Sequence, residues 1–150
     1  MRCDSTARCM SVVKSKRRTS ADRKALYEAE KFADDMKVFI QSNIFNIKKT
    51  HDDRKIRVVS VLAKSIYKEA LSVRNHAFCA NKIYVKNEAD RQLRREHLNN
   101  AIAELSPLCK DIEKAMEECN ISSKRISDIA GQILELKTLL ERWRNEEYRG

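Results

Sequence analysis

The sequence predicts an all-α fold, an antiparallel up-down-up-down four-helix bundle. Only two Gly and one Pro occur in 150 residues, so the chain is poor in the turn residues that strands and hairpins need. Charged residues make up 35% and apolar residues 42%, the mix of long amphipathic helices. Apolar side chains recur at three-four spacing in four separate segments joined by short polar links. Short links return each helix alongside its predecessor, and a chain of this length fits one domain.

Residues 1–19 lack apolar periodicity and carry the run Lys14, Lys16, Arg17, Arg18. They read as a mobile basic arm ahead of a bundle over residues 20–148, with Met10 as an alternative start. From Ser20, read as an N-cap, the residues Ala25, Ala29, Phe32, Met36, Phe39 or Ile40, and Ile44 trace one helix face to about Phe45. Asn46 to Asp52 is a polar connection, with Asp52 or Asp53 capping the second helix. That helix shows Ile56, Val59, Leu62, Ala63, Ile66, Ala70, Val73 and Ala77, and ends near Asn81.

Lys82 to Glu88 is a link with Asn87 as cap, and the third helix carries Leu93, Leu98, Ala101, Leu105, Leu108, Ile112, Ala115 or Met116, and Cys119. Pro107 lies inside it and predicts a kink without a break, because the apolar rhythm continues across it. After a turn at Asn120 to Ser123, capped by Ser122 or Ser123, the fourth helix presents Ile126, Ile129, Ala130, Ile133, Leu136, Leu140 and Trp143. Each rod is roughly 40 Å long at about 1.5 Å per residue.

The net charge is +9, and it is unevenly placed. Residues 1–24 hold eight Lys/Arg against two Asp/Glu, and residues 54–86 hold eight against one. The remainder is slightly acidic. Clustered like charge costs self-repulsion, so two basic blocks point to a polyanionic partner, with nucleic acid first.

On the second helix Arg54, Arg57, Lys64 and Lys68 fall together opposite the apolar face, forming a stripe that can follow a phosphate backbone; an ordinary solvated face is the bland alternative. Val61 and Leu71 interrupt that outward face and suit a subunit contact. Arg91, Arg94 and Arg95 stand beside Lys82 and Lys86 at one end of the bundle. Tyr84 there either stacks on an unpaired base or, with Ile83, plugs the bundle end.

No glycine-rich phosphate loop, nucleophile elbow or pair of carboxylates in an apolar setting is visible, so no catalytic residue and no cofactor is expected. His76, Cys79 and His97 lack the spacing of a metal site. Five scattered cysteines without a CxxC pair fit reduced thiols, Cys109 and Cys119 being small core fillers. No apolar run approaches the roughly 20 residues of a bilayer span, and the N-terminus is too charged for a signal peptide. A cytoplasmic protein without membrane attachment is expected.

Several segments together resemble a known group: Ser11-Val-Val-Lys-Ser-Lys-Arg, Leu62-Ala-Lys-Ser-Ile-Tyr-Lys-Glu-Ala-Leu, Ala80-Asn-Lys-Ile-Tyr-Val, Leu93-Arg-Arg-Glu-His-Leu-Asn-Asn-Ala, and Ile121-Ser-Ser-Lys with Trp143. They resemble the accessory variability determinant proteins of diversity-generating retroelements, which are related to four-helix proteins encoded in intervening sequences of ribosomal RNA genes. The likeness spans most of residues 11–145 through scattered helical positions, and Leu71 to Ala80 departs from it by being longer.

The resemblance implies a homopentameric barrel that binds a reverse transcriptase and its template RNA during mutagenic cDNA synthesis, with no activity of its own. The residues assigned to RNA, or to DNA, are Lys16, Arg17, Arg18, Arg54, Arg57, Lys64, Lys68, Lys82, Lys86, Arg91, Arg94 and Arg95. The alternative is an adaptor of the intervening-sequence type, meeting a protein partner or structured RNA outside any retroelement.

Overall fold

A computed structural model of the chain describes residues 20–44 and 53–146, with side chains from Arg23 to Asn43 and from Asp53 onward. The arm, the Asn46 to Asp52 connection and the Ile44 side chain lie outside the described residues. Among the described residues four α-helices form, and each packs against the next in sequence: α1 Ser20–Phe39, α2 Asp53–Lys82, α3 Glu88–Cys119 and α4 Ser123–Glu146. Contacts between α1 and α4 close the ring, so the architecture is the antiparallel four-helix bundle.

Each boundary follows from local chemistry. α1 passes into a π-helical turn over Ile40–Ile44, where Asn43 Nδ2 donates to the Phe39 carbonyl at 3.1 Å. The expected single helix to Phe45 is thus corrected to an α-helix with a wider last turn. Asn87 caps α3 by accepting from the Asp90 amide at 2.9 Å, and Lys86 N donates to Asp90 Oδ2 at 3.1 Å. At the other end of α3, Asn120 is left-handed (φ 55°) and its amide returns to Met116 O, freeing the chain to turn. Ser122 is the cap of α4: its Oγ accepts from Arg125 N at 3.3 Å. Pro107 sits inside α3, which continues across it without a break.

The core is one cluster in which Phe32, Met36, Phe39, Ile66, Leu98, Leu108, Leu136, Leu140 and Trp143 are at most 1% exposed. Small residues Ala25, Ala29, Ala63, Ala70, Ala77 and Ala101 let the rods approach closely. α4 corrects the predicted face. Ile126 is 36% exposed and Ala130 is exposed, while Leu139 is buried. A wheel centred on Ile133, Leu136 and Trp143 leaves Ala130 roughly 110° off the core direction.

Among the described residues, Glu69 and His97 are the buried ionisable side chains. Glu69 is 9% exposed and meets Asp111 across the α2–α3 seam, close to Glu104. Burial, the hydrogen bond with Asp111 and the two neighbouring charges push its carboxyl up to about 8, so it holds a proton at neutral pH. The expectation of no carboxylate pair in an apolar setting fails here, because residues far apart along the chain are joined only by the fold.

His97, 8% exposed, places Nδ1 3.2 Å from His76 Nδ1 with ring centroids 5.5 Å apart. Burial and the His76 charge pull its pKa below the ordinary imidazole value. Cys109 and Cys119 are free, half-buried against the core, and burial raises both thiols. Cys79 is disulfide-bonded. Of the thiols expected to be reduced, Cys109 and Cys119 are free and Cys79 is not.

Candidate nucleic-acid interface

Helical phase sets the basic stripe. The core side of α2 is fixed by Val59, Ile66, Ala70, Val73 and Ala77, all buried, which turns residues near 54, 57, 61, 64 and 68 outward. Arg54, Arg57, Lys64 and Lys68 are all exposed on that side, and no carboxylate occurs in α2 between Arg54 and Lys68. The stripe is about 21 Å long at 1.5 Å per residue. Val61, 66% exposed, lies between Arg57 and Lys64; Leu71 is half-buried and contributes less apolar surface than its sequence position suggested.

Two grooves border the stripe. Toward α3, a groove of about 440 Å³ runs between Arg57, Val58, Val61 and Leu62 and the α3 residues Lys114, Glu117 and Glu118. Toward α1, Lys64 borders a second groove, of about 480 Å³, where it shares the lining with Lys37 and Tyr67. Neither Lys37 nor Tyr67 was picked out from the sequence. Nothing in the order of residues shows that the flank of α1 reaches the basic side of α2.

The predicted basic end divides into structural and available groups. Arg94 donates from Nε to Ala80 O at 3.1 Å and from Nη2 to Ile83 O, capping the carbonyl end of α2. Its guanidinium is therefore engaged by the fold, which corrects its assignment as a surface contact. Arg91 is half-buried, with Nε closed off from solvent and without a hydrogen-bond partner. Lys82 and Arg95 are half-buried, whereas Lys86 is exposed with Nζ 5.9 Å from the centre of the Tyr84 ring. Half-buried Ile83 and Tyr84 partly close the bundle end, and Lys86 covers the ring. Lys16, Arg17 and Arg18 lie outside the described residues.

Among the described residues no group of three His, Cys, Asp or Glu side chains is placed to hold a metal ion. No described helix is long and apolar enough to cross a membrane. What the α2 face offers chemically is a row of fixed cations on a rigid rod. No family model, curated protein or solved structure matches the chain.

Proposed function

We propose that this chain is a non-catalytic nucleic-acid-binding subunit. It serves as the accessory protein of a diversity-generating retroelement, holding template RNA and a reverse transcriptase during cDNA synthesis. The observation that supports the reading is the α2 face: four exposed cations along about 21 Å of one helix, uninterrupted by any carboxylate of that helix. Such a row attracts phosphates regardless of base sequence and releases condensed counterions on binding. The retroelement assignment itself rests on the sequence resemblance.

In this reading the chain assembles with copies of itself, as a pentamer. Val58 and Val61, 42% and 66% exposed beside the stripe, supply apolar surface for such a contact. Light scattering on the purified chain measures the assembly.

Filter binding of RNA by the wild-type chain and by the Arg57→Glu/Lys64→Glu variant tests the function. Weaker binding by a variant with unchanged helicity supports it; equal binding at moderate salt removes the stripe from the interface. An adaptor for an acidic protein would instead show little affinity for RNA.

A further inference from the structure

We infer that the groove between α1 and α2 receives one unpaired nucleotide of a single-stranded RNA, its base against Tyr67 and its phosphate between Lys37 and Lys64. The inference rests on the proposed RNA-binding role and adds a specific subsite to it.

The groove, about 480 Å³, falls within the range of roughly 300–1,000 Å³ that small-ligand sites occupy. Its wall combines three kinds of group. Ile40, delivered by the π-helical turn, and Ala63 on α2 give an apolar floor, and the half-buried Tyr67 adds an aromatic ring. Lys37 on α1 and Lys64 on α2 stand at opposite sides, both exposed. Ser60 and Gln41 add a hydroxyl and an amide able to meet the donors and acceptors of a base edge. No carboxylate is among its described lining residues.

Aromatic ring, apolar floor and flanking cations form the combination by which proteins hold unpaired bases. Two other described grooves differ from it. The α2–α3 groove includes Glu117 and Glu118, which repel phosphate, and the groove of about 500 Å³ at the α3–α4 turn has no aromatic side chain among its described lining residues. Lys64 belongs to both the stripe and the α1–α2 groove. A strand lying along Arg54, Arg57 and Lys68 thus passes the groove mouth, and a base can turn in without leaving the cationic track.

The test compares Tyr67→Leu and Lys37→Gln with wild type, using a single-stranded RNA oligonucleotide containing 2-aminopurine and a fully paired duplex of the same sequence. Circular dichroism and thermal melting check that each variant is folded. Tyr67→Leu is expected to weaken single-strand binding about tenfold, to leave duplex binding unchanged, and to abolish the fluorescence quenching that stacking causes. Lys37→Gln lies on an exposed surface, so it remains informative if Tyr67→Leu does not fold. It is expected to lower the salt slope for the single strand by about 0.7, the loss of one phosphate contact. Wild-type RNA binding that both substitutions leave unchanged overturns the groove alone. Absence of RNA binding by the wild type overturns the proposed function and the groove with it.

Discussion

Replacing Glu69 with Gln should stabilise the bundle in alkaline solution and leave it nearly unchanged in acid. Glu69 is 9% exposed beside Asp111 and Glu104, and its folded-state carboxyl titrates near 8 instead of at the ordinary 4.5. A carboxyl whose pKa is raised on folding binds its proton more tightly in the native state. Its stabilising contribution is complete below pH 4.5, declines as the unfolded chain ionises, and is lost by the time pH passes 8.

The interval corresponds to at most about 5 kcal/mol at 1.36 kcal/mol per unit, shed at about 1.4 kcal/mol per pH unit. Gln keeps the volume and can donate to an Asp111 carboxyl oxygen without titrating. Urea denaturation of both proteins at half-unit steps from pH 5 to pH 9 gives the difference in stability directly, and subtraction cancels the other titrating groups. A difference that grows with pH in favour of Gln is expected. Parallel curves would refute the buried protonated carboxyl.

Other consequences are independent of that pair. Arg94→Leu removes the charged donor from the Ala80 and Ile83 carbonyls, and should cost about 2–3 kcal/mol in chemical denaturation while the salt slope of RNA binding stays as in wild type. Gly131 lies exposed within α4 with open space where an alanine methyl would stand, so Gly131→Ala should raise stability by about 0.5–1 kcal/mol. His97 should titrate below the ordinary 6.5 in proton NMR. Because its folded pKa is depressed, its contribution is present above pH 6.5 and lost as pH falls further; His97→Gln should flatten that acid limb.

The sequence carried helix number, order and most of the core, because a three-four apolar rhythm is set by contacts that repeat along one element. Phe32, Ile66, Leu108 and Trp143 each lie where that rhythm places them. The basic stripe was legible for the same reason, since Arg54, Arg57, Lys64 and Lys68 share one helix. Pairings between elements were not. Glu69 with Asp111, His76 with His97, and Lys37 with Lys64 across a groove depend on how neighbouring helices are rotated and offset. Arg94 shows the converse. Its charge pointed outward from sequence, yet the guanidinium sits at the carbonyl end of α2 and donates to the Ala80 and Ile83 carbonyls.

The central claim is that α2 binds phosphate along its exposed face, and the salt dependence of RNA affinity tests it most directly. Four contacts at about 0.7 each predict that log Kobs falls with log salt with a slope of about −2.8 for a single strand, from the stripe alone. Arg57→Glu/Lys64→Glu should reduce that slope by about 1.4. A wild-type chain that ignores RNA at low ionic strength, or a double reversal that leaves the slope intact, would contradict the account.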